Sequence, residues 1–207
     1  MNRPLVLACG ALAGDLRAVL AVNGVGDRID VEYLPSNLHN TPDAIVPTLQ
    51  PRLQAAVDAG RPVFVAYADC GTGGALDALL DRFPGVQRVP GAHCYEVFAG
   101  ADRFAALQDE ELGTFYLTDF LAKHFDALVW VGLGLDRHPE LRDMYFGAYR
   151  KVVLLSQQPD DDLVERARAA AARLGLDFEH LPVGRSGLGD PVLAFAVDIE
   201  MRRAAAG

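Results

Sequence analysis

Short apolar runs alternate with amphipathic stretches along most of the chain. Residues 5–9, 63–68, 86–89, 127–132 and 151–155 are compact apolar runs that read as buried β-strands. In residues 28–34, Ile29, Val31 and Tyr33 alternate with Asp30 and Glu32, the period of a half-exposed strand, and residues 178–183 close the regular part. Helical spacing fills the gaps. Residues 11–22 put Leu12, Leu16, Val19 and Leu20 on one side and stop at Asn23-Gly24. Thr41-Pro42 opens a second helix running toward Gly60, with Thr41 as N-cap and an irregular first part at Pro47 and Pro51. A third follows Gly74 and carries Leu76, Leu79, Leu80 and Phe83. Residues 95–125 read as mostly helical, broken near Gly100 and Gly113, with Tyr116, Leu117, Phe120, Leu121 and Phe125 as a core stripe. Residues 160–174 form a helix whose acidic start suits its positive end and whose cap is Gly175.

This rhythm predicts an α/β fold: one mostly parallel open sheet with helices on both faces. Residues 1–207 are expected to form a single domain, with residues 184–207 as a loop and C-terminal tail of it. A hydrophobic share of 51% with 23% charged residues is enough for a sizeable core. The formal net charge of −9, with no run of Lys and Arg, argues against nucleic acid or an anionic membrane as partner. Val6-Leu-Ala-Cys9-Gly10 has the look of a lipoprotein cleavage site, but the apolar stretch before the cysteine is too short for a signal core. No stretch reaches the roughly 18 apolar residues of a membrane helix. Three cysteines cannot pair completely, which fits a reducing cytoplasm.

Those cysteines are the most informative feature. Cys9, Cys70 and Cys94 each stand at or just past the end of an apolar run, and Cys9 and Cys70 are each followed by Gly. Parallel strands in one sheet would bring the three sulfurs to the same carboxyl edge, where open α/β sheets hold ligands. A buried thiol is often only a small hydrophobe, yet three in equivalent places point to a metal or to thiol chemistry. His93, adjoining Cys94, and His39, after the second strand, are the candidate fourth ligands, with His93 favoured by proximity. The soft donor set suits zinc or an iron–sulfur cluster.

Other segments carry weaker signals. Gly71, Thr72, Gly73 and Gly74, at a strand-to-helix turn, offer backbone N–H groups to an anionic cofactor, although the Lys of a nucleotide P-loop is missing. Asp136 and His138, after the apolar run at 127–132, are candidate catalytic groups, with a helix cap and a surface pair as the plain structural alternatives. Residues 184–190 read as a flexible loop from which Arg185 could reach a carboxylate or phosphate.

Taken in order, Ala8-Cys9-Gly10, Tyr33-Leu34-Pro35, Leu38-His39-Asn40, Asp69-Cys70-Gly71-Thr72-Gly73, His93-Cys94, Gly113-Thr-Phe-Tyr-Leu-Thr118 and Met144-Tyr-Phe-Gly147 resemble the family catalogued as domain of unknown function 1638. The resemblance runs from Leu5 to about Val183. It implies a companion of corrinoid-dependent methyltransferases that act on methylamines and betaines, with the three cysteines part of the family pattern. Many members place an Asp between the His and Cys of the third motif, whereas His93 and Cys94 are adjacent here.

Two functional expectations follow. The first is a cytosolic metal–thiolate protein, an enzyme or an accessory to one, acting in or alongside corrinoid-dependent methyl-group metabolism. It would contact a corrinoid, with a corrinoid protein or methyltransferase as partner. The second is a non-catalytic module that binds a small molecule, cofactor or partner while its cysteines are merely packed.

Overall fold

The computed structural model describes residues 2–205. In chain order the elements are β1 (Leu5–Cys9), α1 (Ala13–Val22), β2 (Asp30–Leu34), α2 (Ile45–Asp58), β3 (Val63–Ala66), α3 (Ala75–Leu80), β4 (Gln87–Arg88), α4 (Cys94–Ala99), α5 (Ala101–Glu110), β5 (Thr114–Thr118), α6 (Asp119–Lys123), α7 (Leu141–Phe146), β6 (Lys151–Ser156), α8 (Asp161–Leu174), β7 (Asp177–Pro182) and α9 (Ser186–Ala205). Every strand pairing is parallel, as an α/β fold requires. The strands divide into two sheets, however, where one was expected. The chain forms two compact units, residues 1–97 with 186–207, and residues 98–185. Among the described residues no helix is long and apolar enough to cross a membrane.

The first unit holds a four-stranded sheet in the order β2-β1-β3-β4. From β1 the chain moves outward to β2, then returns past β1 to β3 and on to β4. Parallel crossovers are right-handed, so this reversal sends α1 to one face and α2 and α3 to the other. Side-chain contacts agree. Phe195 of α9 stacks on Phe64 of β3 with ring centroids 5.6 Å apart, and Gly189 of α9 leaves room for Val19 of α1. Arg52 of α2 pairs with Glu32 of β2 at 2.6 Å. Because side chains alternate along a strand, Leu7, Cys9, Glu32 and Val65 share the α2 face, and Val6, Ala8 and Phe64 the α9 face. The gap between β1 and β3, where the strand order reverses, is the topological switch point.

The second unit is a three-stranded sheet, β5-β6-β7, under a core that includes Leu117, Phe125, Val129, Val152, Leu154, Leu163, Ala167 and Leu174. Helix α8 forms as its ends dictate: Asp160 accepts from the Leu163 N–H, and Gly175 caps it at φ 74°.

Four assignments differ from the sequence pattern. Thr114–Thr118 is a strand rather than part of a long helix, and Asp126–Trp130 is a π-helical segment rather than a strand. Periodicity cannot separate a short apolar strand from a helix turn, and the spacing of Phe125 and Val129 lets one helical face meet the core. Residues 186–205 are a helix rather than a loop and tail, because Leu188, Val192, Ala196 and Ile199 form one buried stripe. Thr41 makes no side-chain cap; Pro42–Ala44 is a single 3₁₀ turn leading into α2.

Candidate functional site

At the switch point, Cys9 ends β1 and Cys70 lies four residues beyond β3. Both are buried, and they line one cavity together with His39, Tyr67 and Cys94, all within the first unit. The cavity has a volume of about 10 Å³, space for about one water molecule or ion. His39 Nδ1 stands 3.7 Å from the Cys9 sulfur and also lies 3.1 Å from the Ser36 carbonyl. The Cys9 sulfur accepts the Ala11 N–H at 3.4 Å.

Close backbone packing brings His39 in. A Cβ on Gly10 would stand 2.7 Å from the Leu34 carbonyl oxygen and 3.2 Å from the Ser36 nitrogen, so only glycine lets the end of β1 run this close to the start of the His39 segment. Gly71, at φ 84°, meets the other end of that segment: its Cβ would lie 3.2 Å from Pro42.

Cys70 is held in an unusual conformation. Its φ of 51° makes it the one non-glycine residue in the left-handed region among the described residues. The loop around it is pinned on two sides. The Asp69 and Cys70 N–H groups donate to the Gly91 and Ala92 carbonyls at 3.1 and 2.7 Å, tying the loop to the segment that leads into Cys94. Arg88, paired with Asp77, donates to the Val89 and Gly91 carbonyls at 2.8 and 3.1 Å and fixes that segment in turn.

Electrostatics follow from this crowding. The hydrogen bonds of Cys70 and then Cys9 raise the His39 pKa to about 11, against the pull of burial. Burial pushes the Cys94 thiol up, helped by the charges that Cys70 and Cys9 can carry. Burial is also the main reason that the Tyr67 phenol is raised, followed by Cys9. Among the described residues, no three His, Cys, Asp or Glu side chains stand close enough as they are to hold a metal ion. The three sulfurs thus border one cavity without forming a ready-made ligand cage.

The remaining candidates fall elsewhere. His93, whose ring lies 5.5 Å from that of Tyr95, does not line the cavity; His39 does. The Gly73 and Gly74 N–H groups, read as an anion site with Gly71 and Thr72, donate to the Asp69 carboxylate at 3.1 and 2.9 Å, and the Thr72 hydroxyl donates to it as well. Asp136 and His138 belong to the second unit and pair with their neighbours, Asp136 with Arg137 at 3.7 Å and His138 with Glu140 at 3.2 Å. Arg185 donates to Gln158 at 2.6 Å. Two residues escape a reading of the sequence. Tyr67 is hidden inside an apolar run, where its hydroxyl is the only clue, and Asp69 acts as the loop's own anion.

Comparison with known protein families matches residues 33–190 to a family described as protein of unknown function (DUF1638). The matched span takes in His39, Cys70, His93 and Cys94 and leaves Cys9 outside it. Comparison with curated proteins gives no match. Since the match covers more than half of the chain, this protein belongs to the DUF1638 family of proteins of unknown function.

Proposed function

We propose that the chain is a metal–thiolate protein whose centre is built from Cys9, Cys70, Cys94 and His39, and that it serves methyl-group chemistry in or alongside corrinoid-dependent metabolism. One observation carries the first part: four soft donors, supplied by four separate segments, line a single small cavity at the switch point. The donor set fits. Sulfur and imidazole suit zinc, and two ligands of one tetrahedral zinc lie roughly 3.5 Å apart, by geometry from metal–ligand bonds of about 2.0–2.3 Å. The His39 ring already stands beside the Cys9 sulfur, with Nδ1 3.7 Å from it and on the Ser36 carbonyl, which leaves Nε2 as the nitrogen free to ligate. A cavity of about 10 Å³ favours one ion over an iron–sulfur cluster, which extends several ångströms in every direction.

A bound soft ion would keep its thiol ligands deprotonated at neutral pH, so that a thiolate of the centre is itself the nucleophile available to a methyl group. The chain's own residues do the rest. The hydrogen bond to Ser36 orients the His39 ring, as backbone carbonyls do for ligating histidines. The Cys70 loop, tied at Gly91 and Ala92, keeps one sulfur beside the other. The cavity is too small for a corrinoid or folate to enter, so such a partner would meet the sulfurs at the cavity mouth. The methyl-group role rests on the family resemblance and the affinity of thiolates for methyl groups.

A second reading draws on the lack of a preformed group of three donors. In it the chain is a binding module whose Cys9 and His39 form a metal-free thiol–imidazole pair. To decide the role, zinc-loaded protein is mixed with methylcobalamin, with and without an acceptor thiol, and the corrinoid absorbance followed. Demethylation, or a complex with the corrinoid, supports the methyl-group role. An unchanged spectrum with no binding leaves the binding module.

A further inference from the structure

Tyr67 is fully buried, and its hydroxyl makes no well-formed hydrogen bond among the described residues. A buried polar group is nearly always paired, so an unpaired one beside a cavity calls for a partner that arrives with a ligand. The register shows which atom that partner is. Ala8 pairs with Ala66, so Cys9 and Tyr67 are the next residues on neighbouring chain segments, and strand alternation turns both toward the α2 face. Cys9 and Arg52 of α2 both influence the phenol, Cys9 the more strongly. The Cys9 sulfur is therefore beside the hydroxyl and interacts with it, although the pair falls short of a well-formed hydrogen bond.

We infer that Tyr67 is a positioning residue of the sulfur site, its hydroxyl donating to the Cys9 sulfur once a soft cation has turned that thiol into a thiolate. This rests on the metal–thiolate reading. A neutral thiol is a weak acceptor, whereas a thiolate accepts a charge-assisted hydrogen bond. The Ala11 N–H takes one acceptor position on the Cys9 sulfur at 3.4 Å and leaves others open. Tyr67 offers a phenolic O–H, a donor that a thiolate sulfur can accept. A phenylalanine would fill the same volume, so the hydroxyl is what the site uses.

The test compares Co²⁺ binding to the wild-type chain and to Tyr67→Phe under anaerobic conditions, read from the sulfur-to-cobalt charge-transfer band, together with urea unfolding of both metal-free proteins. The expected result has three parts. Tyr67→Phe binds Co²⁺ roughly tenfold or more weakly, the loss of one charge-assisted hydrogen bond. Its band moves to lower energy, since a thiolate without a hydrogen bond donates more readily. The metal-free variant unfolds at the same or higher urea than wild type, because an unpaired hydroxyl has been removed. Equal affinity and an unmoved band, with wild type binding Co²⁺, would overturn this role for Tyr67 while leaving the metal site standing. A metal-free Tyr67→Phe markedly less stable than wild type would also overturn it, by showing that the hydroxyl is already paired. No Co²⁺ binding by wild type would remove the metal reading and this inference with it.

Discussion

Cys70 occupies a backbone conformation that glycine would adopt at lower cost. Left-handed geometry costs an ordinary L-residue about 1–2 kcal/mol, and glycines stand next to it at 71, 73 and 74. Keeping a thiol there makes sense if the sulfur is used. Cys70→Gly should change stability by no more than about 1 kcal/mol, relief of strain offsetting lost packing and added chain entropy. Cys70→Val should be about 1–2 kcal/mol less stable than Cys70→Gly in urea unfolding, because a β-branched residue fits this region badly. Neighbouring Asp69 gives a pH signature. Burial would raise its pKa, but bonds from Thr72, Gly74 and Gly73, with Arg88 nearby, outweigh this and hold it below the usual value. A lowered folded pKa means stability that is present above about pH 4 and lost as pH falls through the folded value. Between pH 7 and pH 3, wild type should therefore lose more stability in urea unfolding than Asp69→Asn. Equal losses would show that the carboxylate does not anchor the loop.

Among the elements, the His39 segment is held in place by close backbone packing against the end of β1. Gly10→Ala would drive a methyl group against the Leu34 carbonyl and the Ser36 nitrogen, displacing the segment that delivers the imidazole. A cost of about 1–3 kcal/mol is expected, the usual price of overpacking, together with weaker Co²⁺ binding. Gly14 of α1 is the control. A Cβ there meets nothing within 4 Å, so Gly14→Ala should stabilise by about 0.5–1 kcal/mol and leave binding unchanged. The two outcomes, read by urea unfolding and cobalt titration, separate a close approach from ordinary helix propensity. The elements also show what the sequence could and could not tell. Strands β1, β2, β3 and β6 were legible because apolar runs and alternation are local. Thr114–Thr118 was not, since its Tyr116 and Leu117 fit a helical stripe equally well. Helix α9 was hidden behind Gly184 and Gly187, whose loop-like composition outweighed the stripe that begins at Leu188.

Across the whole molecule, the α/β class and parallel pairing followed from the alternation of elements, whereas the division into two sheets did not. Which strands share a sheet depends on long-range pairing that no local pattern records. The sulfur site was half legible for the same reason. Cys9 and Cys70 at strand ends implied a shared edge, but the choice of His39 over His93, and the presence of Tyr67, arise only when β1, β3 and the 36–40 segment come together. On the reading proposed above, these donors hold a metal ion. That reading is tested most directly by elemental analysis of anaerobically purified protein, wild type beside Cys9→Ser, Cys70→Ser and Cys94→Ser, with circular dichroism to confirm folding. About one equivalent of a soft transition metal per wild-type chain is expected, and loss of most of it in each folded variant, because a serine hydroxyl is a poor ligand for such an ion. Folded wild-type protein without metal that also takes up no zinc or cobalt, or variants that keep the full metal content, would contradict it.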